Sequence, residues 1–485
     1  MSDAQNTRSC VGGADTARVL RRLPRGTRVI GALAGITVCA ALLFAVWLQS
    51  GYTLWQYDSE GLVIGRIYQM QMGQDAKNPA GFLGGFDLPT SENHASQCVY
   101  DQLGLYFDDT PVTSEQYWAY THQPGVQGTL WGVMNRALCV LRLPAQTRLH
   151  TLHFISVWLL CAALYFVCLW LWHEWGAAAA VLCGAGLLLS SWTLRACASL
   201  YWRLWLCFGI FALSAWLCRR YETAEKLSPL GFFCLGAAVC LRFLGGFEFA
   251  SSLLVCMEVP FVYYLIKHAG AAQRCNRRIC AALPTDAPQP KAVPGTQRCP
   301  WLRAAIYAGF AGIFGFALAL LIWFVQLWVH TGTAQRALAE LLVPIANRTG
   351  VLGAAQAGYN ASLDVSLLEL LRLYFCEDTI LPGLSVLALL CLYAAVLAVT
   401  LCVCLKQRDK AALQLHAARL LAVCTGLLGT LSWLVLARGH ASVHPHINYL
   451  LWLLPFVPLC LAHIGACAQE LCRKLCQRGK GAAAR

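Results

Sequence analysis

Two carboxylates stand two residues apart in Trp55-Gln56-Tyr57-Asp58-Ser59-Glu60-Gly61. Acids this close together can abstract a proton from an acceptor hydroxyl or hold a divalent cation. They also suit a plain solvated helix start, since Asp is a good cap and acids favour the first turn. A second cluster is Arg438-Gly439-His440-Ala441-Ser442-Val443-His444-Pro445-His446. Its imidazoles raise a metal site. However, His444 and His446 straddle a proline and no chelating carboxylate is adjacent, so phosphate or sugar contacts fit better, with an ordinary polar turn as the alternative. Arginines supply the same chemistry elsewhere, because a guanidinium grips phosphate oxygens in a fork. Arg66 follows the acidic pair, Arg195 lies in a short turn, and Tyr201-Trp202-Arg203 opens an apolar run. Arg242 and Glu248 flank Gly245-Gly246 and read either as an internal ion pair or as the wall of a polar cavity.

The elements that must position these groups are membrane helices. Of 485 residues, 58% are hydrophobic and 13% charged, with mean hydropathy +0.54. Soluble chains carry roughly 25% charged residues, so an ordinary soluble protein, a disordered chain, a collagen and a coiled coil are all excluded. The expected fold class is all-α: a polytopic membrane protein. Runs of about 20 apolar residues occur at 31–48, 149–172, 176–192, 199–217, 230–243, 249–266, 304–329, 380–405, 420–437 and 448–468, which makes ten spans. The pair around Gly245-Gly246 also reads as one long or re-entrant segment. The first run follows a basic stretch (Arg18 to Arg28) and lacks a good cleavage site at Ala45-Val46-Trp47-Leu48, so it reads as an uncleaved anchor.

Alternating the spans from an inner N-terminus places 25 of the 37 Lys and Arg inside and 10 outside. Positive charge gathers on the cytoplasmic side, so the net +13 is a topology signal and nucleic-acid binding is not expected. The parts are then a cytoplasmic tail (1–28), a membrane module (29–266) with a large outer loop (49–148), and a basic Pro-rich cytoplasmic joint (267–303). A second helix group (304–468) with outer loops 330–379 and 438–447 follows, then a cytoplasmic tail (469–485). Most of the 25 cysteines sit singly in apolar runs and behave as small hydrophobes. Cys472/Cys476 has no second pair and no histidine cluster nearby in sequence, so no structural zinc site is expected. Whether the outer Cys98 and Cys376 pair is not legible. The sequons at Asn347 and Asn360 are treated as chance matches.

Within the first outer loop, Leu62, Ile64, Ile67, Tyr68 and Met70 alternate with polar residues, a pattern suited to a helix lying on the bilayer surface. Tyr120-Thr121-His122-Gln123-Pro124-Gly125 then leads into a second apolar stretch, 130–143. In the late outer loop, 363–375 reads as an amphipathic helix over a cavity mouth.

This order of parts resembles the GT-C glycosyltransferases that use polyprenyl-phosphate sugars, among them protein mannosyltransferases and the lipid A aminoarabinose transferase. In that family the first outer loop opens on an acidic pair and carries two membrane-surface helices, with Tyr-x-x-x-Pro before the second. Asp58-x-Glu60 departs from the adjacent pair, whereas Tyr120-x-x-x-Pro124 fits. The resemblance covers roughly residues 30–220. It implies inverting transfer from a polyprenyl-phosphate-linked sugar to a lipid, glycan or protein acceptor on the outer face of a cell membrane, such as a bacterial inner membrane. It assigns catalysis to Asp58, standing as the cap of the helix, with Glu60 assisting by orientation or cation binding. Arg66, Tyr120, His122, Arg195, Tyr201, Arg203, Arg242, Glu248, Arg438, His440, His444 and His446 become candidate substrate contacts. No cofactor other than a divalent cation is implied. The competing readings are a secondary transporter, for which ten spans and a break at Gly245-Gly246 would serve, a polysaccharide polymerase or ligase, and a non-catalytic scaffold.

Overall fold

The computed structural model describes residues 25–54, 57–87, 98–269, 300–349, 365–377 and 379–483. The joint at 270–299 and the sequon at Asn360 lie outside them. About four in five residues are helical, as the apolar runs require: without water, only a helix satisfies each backbone group within its own segment.

The first membrane helix, α1 (Arg25–Gln49), is followed by three loop helices: α2 (Tyr57–Gln71), α3 (Cys98–Asp108) and α4 (Val126–Val140). Then come α5 (Ala145–Glu174), α6 (Ala177–Leu189), the short α7 (Ser191–Ala196), α8 (Leu204–Ala224) and α9 (Pro229–Phe243). α10 (Ala250–Ala269) ends the first half. The second half comprises α11 (Pro300–Thr331), α12 (Ala334–Thr349), α13 (Leu367–Arg372), α14 (Val386–Lys406), α15 (Lys410–Leu436), the short α16 (Arg438–Val443) and α17 (Pro445–Asn448), and α18 (Phe456–Ala483). Seven helices are long and apolar enough to cross a membrane, and α6 and α9 are shorter apolar helices. This is an all-α polytopic membrane protein.

Helix pairs α5/α8, α6/α18, α9/α11 and α10/α15 form the bundle. Small residues let their backbones approach, as membrane helices require. A Cβ on Gly465 of α18 would stand 2.5 Å from the Ala178 carbonyl oxygen of α6, and one on Gly315 of α11 would collide with the Gly236 carbonyl oxygen of α9.

Contacts at the helix ends sort the connections onto two faces. On one, the loop face, Trp131 Nε1 donates to the Leu200 carbonyl (2.9 Å) and Gln127 Nε2 to the Gly245 carbonyl (2.9 Å). Trp323 Nε1 likewise donates to the Thr121 carbonyl (3.1 Å). On the other face, Arg219 and Lys267 pair with Glu174 (2.8 and 2.6 Å), and Lys474 pairs with Asp409 (2.9 Å). The segments expected to share a side do touch one another.

Several expected boundaries move. Residues 197–203 form a turn and the helix begins only at Leu204, because that turn is bound to Glu60 (below). Residues 379–385 make a small antiparallel hairpin, β3 (Thr379–Leu381) with β4 (Leu384–Ser385), before α14. The stretch from 448 starts as short turns, and its long helix begins at Phe456. The segment 438–447, expected as a loop, is mostly helical. At Gly245-Gly246 there is no re-entrant helix: α9 and α10 are separate helices joined by a turn on the loop face, where Val126 N donates to the Leu244 carbonyl (2.9 Å).

The first loop is a folded layer. β1 (Leu83–Phe86) pairs antiparallel with β2 (Tyr117–Tyr120), Leu83 opposite Tyr120 and Phe86 opposite Tyr117. α2 was expected on the bilayer surface, but residues 60–70 are buried on every side, among α3, α4 and β1. Its polar positions look like a solvent face because their partners include groups outside the helix. Gln69 accepts from Arg66 (2.5 Å) and from Asn78 Nδ2 (3.3 Å), and Tyr68 OH donates to the Thr110 carbonyl (2.6 Å). α4 does have the expected character, turned inside out: Leu130, Val133 and Val140 are exposed while Gln127 and Asn135 are buried.

Candidate functional site

Glu60 is the anchor of the loop face. Its carboxylate is 4% exposed. Oε1 accepts from His153 Nε2 (3.1 Å) and from the Leu200 backbone N–H (3.1 Å). Oε2 accepts from Ser199 Oγ (3.0 Å) and more distantly from the Tyr201 N–H (3.4 Å). A carboxylate offers about four lone-pair directions, and all are taken. The start of α2 is thereby tied to α5 and to the turn before α8. Asp58 is the second residue of α2 and so stands inside the helix, not before it as its cap; assigned helix starts shift by a residue or so. Its side chain lies outside the described residues. Positions 58 and 60 fall about 200° apart around a helix.

Tyr201 joins this anchor to a polar cluster. While its N–H faces Glu60, its hydroxyl accepts from Gln123 Nε2 (2.8 Å), and both side chains are buried. Beside them the Glu248 carboxylate pairs with Arg348 of α12 at 3.1 Å. Gly246, at φ +139°, makes room for the pair: a Cβ there would stand 2.5 Å from Gln123 Oε1 and would collide with the Glu248 carboxylate. Tyr120 and His122 hold their rings 5.1 Å apart. Burial and the positive charge of Arg348 push the pKa of His122 below the usual imidazole range, partly offset by Glu340. Burial, Arg348 and His444 hold His440 well below it. Both imidazoles are therefore neutral near pH 7. Asn448 fixes the late turn, donating to the carbonyls of His440 (3.3 Å) and His444 (2.9 Å) and accepting from Trp433 Nε1 (3.0 Å).

No family model, curated protein or solved structure matches this chain. Its site is therefore read from its own geometry.

Glu248 pairs with Arg348, and His122, Tyr201 and His440 lie near enough to feel its charge; Tyr120 stands beside His122, and His444 and His446 follow His440 at ring separations of 4.8 and 5.6 Å. The other arginines are engaged elsewhere. Arg66 faces Asp75 (3.4 Å), and Arg195 stacks on Tyr52 and Trp192. Arg203 donates to the Leu241 and Arg242 carbonyls (3.3 and 3.0 Å), and Arg438 donates to the Val365 carbonyl. Arg242 does not pair with the Glu248 carboxylate. It donates to the carbonyls of Gly246 (3.0 Å) and Glu248 (3.3 Å), so it shapes the turn while the carboxylate goes to Arg348.

Arg348, Gln123, His153 and Ser199 escaped the sequence reading. His153 carried a usable signal, being an imidazole four residues into an apolar run, where ionisable groups need a partner. Arg348 looked only like the middle of a chance sequon.

Proposed function

We propose that this protein is an integral membrane glycosyltransferase that takes a sugar from a polyprenyl-phosphate donor on its loop face, which the charge asymmetry turns outward. One observation carries the reading. Tyr201 connects the helix that begins at the acidic pair to a cluster of Arg348, its partner Glu248 and the neutral imidazoles of His122 and His440. In this reading the Asp58 carboxylate removes the proton of the acceptor hydroxyl, and the acceptor oxygen attacks the anomeric carbon. The bond from that carbon to the phosphate oxygen breaks, and the departing phosphate keeps the electron pair. Arg348 exchanges Glu248 for the phosphate, and His122 and His440 donate hydrogen bonds to it. Glu60, with every acceptor position filled, orients Asp58 and has no lone pair left for a cation. Inversion follows from the single displacement.

The contacts of the Gly245-Gly246 turn with Gln127 and Val126 support a site on the loop face over a transporter hinge at this turn. The test is Asp58→Asn, assayed with a synthetic polyprenyl-phosphate sugar in nanodiscs. A variant that inserts normally and transfers at the wild-type rate would refute the assignment. Reporter fusions placing residue 290 outside would overturn the orientation.

A further inference from the structure

A second gathering of chemically capable side chains lies inside the bundle, towards the face opposite the loops. His416 of α15 and His463 and Cys467 of α18 are each 1% exposed or less. Their ligand atoms all lie within 4.8 Å of one another. His416 Nδ1 is 3.0 Å from His463 Nε2, and Cys467 Sγ is 3.9 Å from His416 Nδ1. Residues 463 and 467 are four apart, so they share one face of α18. His416 reaches them from the neighbouring helix.

We propose that His416, His463 and Cys467 bind one thiophilic d10 metal ion, copper(I) in preference to zinc(II). Three features support this. First, the ligand set is soft and nitrogen-rich, which suits these ions and not magnesium or calcium. Second, the spacing is close to what coordination needs. Tetrahedral bonds of about 2.0 Å to nitrogen and about 2.3 Å to sulfur set N···N near 3.3 Å and N···S near 3.5 Å, and the observed 3.0 and 3.9 Å need shifts of only a few tenths of an ångström to reach them. Third, an outer partner is already in place. Tyr393 OH lies 2.8 Å from His463 Nδ1, where the phenol oxygen can accept from Nδ1–H and leave the Nε2 lone pair to an ion shared with the other two ligands. Metal-binding histidines are characteristically held by such an outer partner.

Charge selects the ion. On binding, Cys467 releases its proton. A thiolate, two neutral imidazoles and copper(I) then sum to zero, whereas zinc(II) leaves +1. The site is walled by Trp175 (5.9 Å from the His463 ring) and lies one turn from Arg419, so an uncompensated positive charge is costly there. The alternative occupant is a single proton, with the two imidazoles hydrogen-bonded as a core pair that staples α15 to α18.

Metal loading separates the two. The full-length protein in detergent with a reductant is incubated with copper(I) or zinc(II), gel-filtered and analysed for metal. One ion per chain is expected, bound at least tenfold more tightly as copper(I), with an ultraviolet thiolate-to-metal band. Cys467→Ser, which keeps a hydrogen-bonding group, and His463→Gln should each lower loading at least tenfold. Cys472→Ser, at an exposed position on the same helix, should leave it unchanged. Loading of folded wild-type protein below about a tenth of an ion per chain, or equal loading in Cys467→Ser, would overturn the site. Tighter zinc binding would overturn the copper preference.

Discussion

The two faces of the bundle both bury acids beside bases, and they do it differently. On the face opposite the loops, Glu174 accepts from Arg219 and Lys267, and Glu222 accepts from Lys267 and His268 (2.7 and 3.0 Å). Each of these charges has a near partner of opposite sign, and the pairs join α5, α8 and α10. On the loop face Arg348 pairs with the Glu248 carboxylate near His122 and His440, which burial keeps neutral, and Gln123 Oε1 has no hydrogen-bond partner among the described residues. A closed network staples helices together. On the proposed reading the Arg348–Glu248 pair is instead exchanged for an incoming anion, and the cluster takes a ligand.

The largest expected effect lies beside the open cluster. Asp58→Asn removes the proposed base but keeps the size of the side chain, and loss of a general base costs about 10²–10⁴-fold in rate. Single-turnover transfer in nanodiscs measures it, and normal insertion with unchanged turnover would make the loop face a second staple.

Next in size is the closed network. Glu174→Gln leaves Arg219 and Lys267 without their buried carboxylate, and breaking a buried pair costs about 3–5 kcal/mol. The lower end is expected, because the Arg219 side chain is 39% exposed. A clearly lowered melting temperature in detergent, with kcat of the folded fraction unchanged, is the expected outcome. A loss of kcat instead would move function to that face.

Arg348→Ala tests the exchangeable pair. A charge-assisted hydrogen bond is worth about 1.5–3 kcal/mol, so KM for the lipid donor should rise about 10–100-fold, with kcat falling less. Glu248→Gln should lower that KM, because it frees Arg348. An Arg348 variant that only loses stability would show the two faces to be alike.

The smallest effect is in pH. His122 and His440 have folded-state pKa values below their unfolded ones, so the unfolded chain binds more protons and stability rises with pH. The stabilisation is complete above the unfolded imidazole pKa of about 6.5 and is lost as pH falls below it. The melting temperature should drop between pH 7 and pH 5, and less so in His122→Gln.

How much of this was legible in the sequence depended on the range of the signal. Apolar run length is local, and helices lie wherever it predicted spans, with their starts trimmed only where turns are bound by distant groups, as 197–203 is by Glu60. Side sharing was legible because charge accumulates along each connection. α2 was misread because Arg66, Gln69 and Tyr68 find their partners at Asp75, Asn78 and Thr110, inside a folded layer that periodicity does not describe. The Arg348–Glu248 pair is a hundred residues apart in sequence, and His416 stands 47 residues from His463. No local motif announces such a meeting. Asp58 and Glu60 were found by spacing, but the filled acceptor positions of Glu60 needed coordinates.

On the proposed reading, the inverted helix α4 has a consequence for how fast this protein meets a lipid-borne donor. Leu130, Val133 and Val140 face outward while Gln127 and Asn135 are buried in the layer, so this row suits contact with acyl chains at the rim above the bundle. A hydrophobic substrate diffusing in the plane of the membrane meets that rim without first dissolving in water, and its search is two-dimensional. Encounter then scales with the surface density of the lipid carrier and with bilayer thickness, and bulk aqueous concentration has little influence. Reconstitution in lipids of graded chain length should change the rate at constant carrier density, with the optimum where the headgroup plane meets the exposed row of Leu130, Val133 and Val140.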